Sequence, residues 1–359
     1  MSLHPIPAPA ALAAYAGYGA IIDARSPAEF AEDHLPGAVN WPVLDNEQRI
    51  IVGTTYVQVS ALEARKIGAA MVARNIADHL DREMPGLPKD WRPLVYCWRG
   101  GQRSGSLAWF LSQIGFRTAQ LQGGYKAFRA VVREQLAPLS QALSFTVLCG
   151  RTGSGKTRLL QALARQGEQV LDLEALACHR GSVLGAVQDQ PQPTQKGFET
   201  RLWQALRGFD PARPVWVENE SAKIGVLRVP EPLLAHMQAR GRCVQVRLSD
   251  PERVRLLLED YAQWFTQPEA FCSVLDGLIE LRGRETVGRW QALARAGRWA
   301  ECFALLMAEH YDPLYDRSTR RHFGALADAP EIAVASSAQS DFDAAAVAWM
   351  RAAPPSSGP

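Results

Sequence analysis

The sequence predicts an α/β protein made of two units, each built on a parallel sheet. Three observations predict it. The chain has 359 residues, about two and a half times a typical domain length of ~150. Short apolar runs alternate with stretches of helical periodicity, once in the N-terminal third and again beyond residue 144. The second stretch opens on a strand, a glycine-rich turn and a helix in immediate succession. Hydrophobic residues at 47% and charged residues at 21% are ordinary globular usage, which excludes wholesale disorder and rod-like assemblies.

In the first unit, residues 1–137, Gly19–Asp23 and Pro93–Cys97 read as strands, each an apolar run of strand length. Between them, Leu62, Ile67, Ala70, Met71, Ile76 and Leu80 recur at helical spacing. A second helix is expected at Ser106–Leu111. Pro138 and Ser140, following a charged helix end, mark residues 138–143 as a linker. In the second unit, residues 144–351, strands are expected at Phe145–Cys149, Val170–Leu173, Val215–Val217 and Val244–Leu248, with helices between them. Asp250-Pro251 opens one of those helices. The Ala/Pro/Ser/Gly tail, 352–359, is expected to be disordered.

Charge and cysteines narrow the partners. The formal net charge is only +2, so a nucleic-acid partner must be held by a local patch. No run approaches the ~18 uncharged apolar residues of a membrane span. Met1–Ile22 has no charged Lys, Arg, Asp or Glu, but it lacks a basic start and is broken by Pro5, Pro7 and Pro9, so a cytoplasmic protein is expected. The six cysteines are far apart, with no C-x-x-C pair, and read as reduced thiols.

Cys97 differs from the other five. It ends a strand and enters Cys97-Trp-Arg99-Gly100-Gly101-Gln-Arg103-Ser104-Gly105, after which a helix begins. Successive amides and a helix N-terminus then converge on one spot, an anion nest to which Arg99 and Arg103 add positive charge. Such surroundings favour a nucleophilic thiolate.

The second unit carries Gly150-Arg-Thr-Gly153-Ser154-Gly155-Lys156-Thr157 between the strand Phe145–Cys149 and an apolar-periodic helix. This is the phosphate-binding pattern G-x-x-x-x-G-K-[ST] in its required context. The glycines admit a diphosphate to the backbone, Lys156 supplies a point charge, and the Thr157 hydroxyl suits Mg²⁺. A later strand ends in Glu218-Asn-Glu220 rather than in the Asp expected of a nucleotide hydrolase; Asp172, Glu218 and Glu220 are the candidate acid/base or Mg²⁺ residues.

The first unit resembles a rhodanese domain: Asp23-x-Arg25-Ser-Pro-x-Glu29-Phe30, His34-Leu-Pro-Gly37-Ala-Val-Asn40, the Cys97 loop and Gly123-Gly124-Tyr125 carry the resemblance. Cys97-x5-Arg103-Ser104 equally matches a phosphatase signature, and the loop alone does not decide between them. The second unit is similar to that of the bacterial tRNA 2-selenouridine synthases. That likeness rests on Thr152–Thr157, Asp172-Leu-Glu174, His179-Arg180-Gly181-Ser182, Gln195-Lys196-x-Phe198-Glu199, Glu218-x-Glu220-Ser221 and Tyr311-Asp312-Pro313-x-Tyr315. The resemblance spans about residues 20–317 and implies an N-terminal rhodanese-like domain and a C-terminal P-loop NTPase-like domain.

It also implies a two-step reaction on the anticodon wobble base of tRNA. The sulfur of 2-thiouridine is geranylated from geranyl diphosphate, and selenium from selenophosphate then replaces the thiogeranyl group. In that scheme Cys97 is the nucleophile, carrying selenium as selanylcysteine, while Arg99 and Arg103 bind the anion. Gly150, Gly153, Ser154, Gly155, Lys156 and Thr157 hold diphosphate, and a selenophosphate-supplying enzyme is a partner. Within a helical region at 252–325, Arg282, Arg284, Arg289, Arg295 and Arg298 with Trp290 and Trp299 are the tRNA-binding candidates, through phosphate contacts and base stacking. The same stretch also fits an amphipathic helix with core tryptophans. The alternative function is an ATP-dependent tRNA sulfurtransferase or kinase with a rhodanese sulfur carrier.

Overall fold

The computed structural model describes residues 4–187, 190–322 and 329–352. It divides into two compact units, residues 1–135 with 193–204, and residues 136–192 with 205–359.

In the first unit β1 (His4–Ile6), β2 (Ala20–Asp23), β3 (Val39–Asn40), β4 (Pro93–Tyr96) and β5 (Ala119–Leu121) form a parallel sheet in the order β1-β5-β4-β2-β3. The sequence predicts β2 and β4; β1, β3 and β5 are two or three residues long, too short for their pattern to stand out. Ile22, Val95, Leu107, Ala108 and Leu111 are fully buried around β4. That packing fixes the strand end from which Cys97 projects.

In the second unit β6 (Phe145–Cys149), β7 (Gln169–Leu171), β8 (Val215–Glu218), β11 (Arg242–Arg247) and β12 (Glu331–Ala333) lie parallel in the order β12-β11-β6-β8-β7, beside a two-stranded antiparallel ribbon of β9 (Lys223–Ile224) and β10 (Leu227–Arg228). The first strand, β6, sits mid-sheet with β8 beside it, so the loop after β6 and the acidic end of β8 meet at one sheet edge. This is the carboxyl-end crevice where α/β sheets bind ligands.

Two differences from the sequence expectation have clear causes. Residues 138–141, read as linker, end the helix Gly124–Gln141. Ser140 is buried, and its hydroxyl donates to Leu136 O at 2.7 Å, so the polar group is satisfied inside the helix rather than breaking it. Residues 193–204, sequentially inside the second unit, pack with the first: Thr200 Oγ1 donates to Asp33 Oδ2 at 2.9 Å, Arg129 pairs with Glu199, and Trp203 stacks edge-on against Phe128. A charged helix face does not reveal from sequence which sheet will satisfy it. Of the expected tail, only Ala352, the end of the helix Gln339–Ala352, is described; residues 323–325 of the helical region also lie outside the described residues.

Candidate active site

Cys97 follows β4 and is 3% exposed. Ser104, in the first turn of the helix Gln102–Ile114, donates its hydroxyl to Cys97 Sγ at 3.1 Å. Gln120 Nε2 in turn donates to Ser104 Oγ at 3.0 Å and to Gly100 O at 2.9 Å. The amides of Arg99 to Ser104 find no backbone acceptor among the described residues, which leaves a run of open donors in the loop after Cys97. Two glycines make the loop possible. A Cβ on Gly100 (φ +66°) would lie 2.4 Å from Leu121 O, and one on Gly124 (φ +56°) would lie 2.1 Å from Cys97 O.

The loop is braced from below. Arg25, fully buried, donates to both Asp23 carboxylate oxygens and to Asp33 O at 2.6 Å, and its guanidinium sits 4.0 Å from the centre of the Tyr125 ring. Tyr125 N donates to Cys97 O at 2.8 Å, and Tyr125 Oη to Asp33 at 2.8 Å. Burial raises the Asp33 carboxyl above its ordinary pKa, against the opposing pull of these hydrogen bonds and Arg129.

The two arginines expected to bind an anion differ. Arg99 is exposed, with no hydrogen bond or ion pair to the described residues. Arg103 is held by Glu29 through contacts of 2.6 and 3.2 Å. Its charge is already balanced by Glu29 within the first unit.

In the second unit, Lys156 opens the helix Lys156–Arg165, with Nζ donating to Gly150 O at 2.9 Å. A Cβ on Gly155 (φ +79°) would lie 2.2 Å from the Phe342 ring, and one on Gly150 would lie 2.5 Å from Ser154 Oγ. Arg253, buried, donates to Thr152 O at 3.0 and 2.7 Å and pairs with Asp312 at 2.6 Å, which anchors the loop to Asp312 of the predicted Tyr311–Tyr315 motif. The loop borders a pocket of about 510 Å³ that also contains Glu174, Arg180, Glu218, Glu220 and Tyr261.

Three carboxylates face Lys156. Ligand oxygens of Glu174, Glu218 and Glu220 lie within 4.8 Å of one another. Glu218 is 2% exposed and its Oε1 has no hydrogen-bond partner, while Thr157 Oγ1 donates to Glu174 Oε2 at 3.3 Å. Burial raises the pKa of all three carboxyls. Lys156 opposes the rise, and repulsion from neighbouring carboxylates, Asp172 among them, adds to it, most strongly at Glu174. Hard oxygen donors, an orphaned buried oxygen and repelling charges fit a divalent cation such as Mg²⁺. Asp172 is not one of the three: its Oδ1 accepts from Ala175 N at 2.8 Å as a helix cap, and Glu174, two residues on, takes the expected place. Arg180 is a further pocket cation that the sequence did not single out for this site. Its guanidinium lies 5.5 Å from the Tyr261 ring, and one buried terminal nitrogen has no hydrogen-bond partner.

Three of the five candidate arginines of the helical region meet carboxylates. Arg289 pairs with Glu309, Arg295 with Glu269 and Arg298 with Glu301, and Arg282 donates to His310. Arg284 is exposed. Trp290 is fully buried, with Nε1 donating to Glu309 at 2.9 Å, and Trp299 packs on Phe265 and Phe271. Base stacking by Trp290 is therefore excluded in this conformation; the ring is core. Among the described residues no helix is long and apolar enough to cross a membrane.

Comparison with known proteins matches both units to known domain families. Residues 8–131 match the rhodanese-like domain, and residues 143–275 match the tRNA 2-selenouridine synthase AAA domain. The chain is 31% identical over 338 residues to the tRNA 2-selenouridine synthase of Alcanivorax borkumensis, covering 85% of this chain and 91% of that one. It is 36% identical over 245 residues to the synthase of Nitrosomonas europaea, covering 67% of this chain and 63% of the relative. With that of Nitrosomonas eutropha it shares 38% over 226 residues, covering 61% of this chain and 57% of the relative. The matches to the two Nitrosomonas proteins thus span about three fifths of their length, whereas the Alcanivorax match is nearly end to end. With a rhodanese-like N-terminal domain and an AAA/P-loop-like C-terminal domain matched along almost the whole of one such relative, the chain belongs to the tRNA 2-selenouridine synthase family.

Proposed function

We propose that this protein converts 2-thiouridine at the wobble position of tRNA to 2-selenouridine in two steps, in the cytoplasm. The observation that carries the reading is the Cys97 sulfur, held by Ser104 in a loop of open amides, in a chain that also bears a phosphate loop.

In the first step the base sulfur attacks C1 of geranyl diphosphate. A C–S bond forms, the C–O bond breaks, diphosphate leaves with the electron pair, and the base loses one proton. Gly150, Gly153, Ser154, Gly155, Lys156 and Thr157 cradle the diphosphate, with Arg180 as a second cation. Glu174, Glu218 and Glu220 would hold a divalent cation, which supplies charge neutralisation for the leaving group when bound. No nucleotide is hydrolysed.

In the second step selenium from selenophosphate, delivered by a separate supplying enzyme, replaces the thiogeranyl group. C2–Se forms, C2–S breaks, and geranyl thiol and phosphate leave, so the net exchange is redox-neutral. Cys97 carries the selenium. Loading it as S–Se withdraws two electrons, which an external small-molecule disulfide takes up, since the six cysteines of the chain are free; discharge to the base returns them from the resulting thiol pair and re-forms that disulfide. Alkylation makes the sulfur a better leaving group, which is why geranylation precedes exchange.

The test supplies purified protein with tRNA, geranyl diphosphate and selenophosphate and reads nucleosides by mass spectrometry. Cys97→Ala should accumulate S-geranyl-2-thiouridine and form no selenouridine; loss of both products would overturn the division of labour. Calorimetry with geranyl diphosphate against ATP separates this reading from an ATP-dependent sulfurtransferase or kinase, which requires the ATP to bind and be consumed.

A further inference from the structure

Beside the Cys97 loop lies a cavity of about 910 Å³ that neither step above uses. It is an open cleft bordered by three helices, Asn46–Gln58, Ala61–Glu83 and Gln102–Ile114, and by Leu44. Its walls are largely apolar, with Val52, Tyr56, Val72, Trp109 and Phe110 among them. Tyr56 is 60% exposed and Trp109 51%, and Trp109 meets Phe110 edge to face at 5.0 Å. Large rings left exposed around an apolar cavity of small-molecule size are the mark of a ligand site rather than of a folding core. One edge is not apolar: Gln102, Arg103 and Ser106 line it, from the same helical turn whose Ser104 touches the Cys97 sulfur. The cavity thus borders the helical turn that closes the Cys97 loop, although Cys97 and Ser104 themselves do not line it.

We propose that this cavity binds the hydrocarbon group on the sulfur of the base while selenium is exchanged at Cys97, an acyclic branched chain of the prenyl class. The assignment rests on the two-step reading above. It gives the alkyl group a second purpose: besides activating the leaving sulfur, the chain anchors the modified base at the cysteine and distinguishes it from unmodified 2-thiouridine. Each buried methylene is worth about fourfold in affinity, so selectivity should rise with chain length.

The experiment uses the full chain and anticodon stem-loop RNAs whose wobble 2-thiouridine bears S-methyl, S-dimethylallyl or S-geranyl groups, with fluorescence anisotropy as the readout. The wild-type Kd should fall at least tenfold from methyl to geranyl. Ala69→Trp, which fills the cavity from an exposed helix position, and Trp109→Ala, which removes a wall, should each reduce that ratio to under threefold, with thermal melts confirming folding. A wild-type ratio near one, or a full ratio retained in both folded variants, overturns the assignment. So does concentration-dependent self-association abolished by Trp109→Ala while the ratio stays intact, because the face would then seat a second copy. Selenium exchange on the geranylated RNA is measured alongside. Its absence in the wild type refutes the two-step reading itself, whereas exchange that proceeds regardless of chain length refutes only the cavity.

Discussion

Both terminal nitrogens of Arg103 are held by the carboxylate of Glu29, at 2.6 and 3.2 Å, one residue before Ser104, whose hydroxyl donates to the Cys97 sulfur. Arg103 is thus a brace between the Cys97 loop and the helix Pro27–Glu32. The open amides and the exposed Arg99 are what remain to meet an anion.

That brace has a pH signature. Burial alone would raise the Glu29 pKa, but the hydrogen bond and charge of Arg103, with help from Ser26 and Arg49, bring it below 4.5. A depressed carboxylate stabilises the fold above its unfolded pKa and loses that contribution as pH falls through the folded value. Glu29→Gln should therefore cost about 1–3 kcal/mol at pH 7, with the deficit shrinking below pH 4.5. Urea unfolding across pH checks it; a deficit independent of pH would show that the ion pair is not its source.

Lys156→Ala should weaken geranyl diphosphate binding by about 1.5–3 kcal/mol, the range for hydrogen bonds to charged groups. An unchanged Kd by calorimetry would remove the phosphate loop from that role.

The acidic triad titrates in the opposite sense to Glu29. Burial and mutual repulsion raise Glu174, Glu218 and Glu220 above 4.5, so the folded state binds more protons than the unfolded one. Their contribution is complete below pH 4.5 and is lost as pH rises through the raised values. Without divalent cations the melting temperature should fall between pH 5 and pH 8. Mg²⁺ should restore more at pH 8 than at pH 6, and Glu174→Gln should flatten both trends. A melting profile insensitive to pH and Mg²⁺ would argue that the three acids neither repel nor bind a cation.

Trp290→Phe tests the corrected reading of the arginine-rich region. It removes the Nε1 donor to Glu309 from a fully buried site, and should cost about 1–3 kcal/mol. Affinity for tRNA at fixed salt should stay within twofold. A tenfold loss in a folded variant would return the tryptophan to the RNA.

The local chemistry was readable from sequence because it is written in contiguous residues. Cys97 through Gly105 and Gly150 through Thr157 each specify a turn that only their glycines permit, followed at once by a helix. The long central strands β4, β6 and β8 were readable for the same reason, an unbroken apolar run. What depends on partners distant in sequence was decided only in three dimensions. Glu29 reaches Arg103 across 74 positions, Glu174 displaces Asp172 because a helix cap claims the latter, and residues 193–204 join the first sheet. The apolar cavity beside Cys97 has no motif at all, since its walls come from three separate helices. A residue type and its spacing determine what a side chain can do; only packing determines which partner it meets, and a charge already paired or a ring already buried is spent.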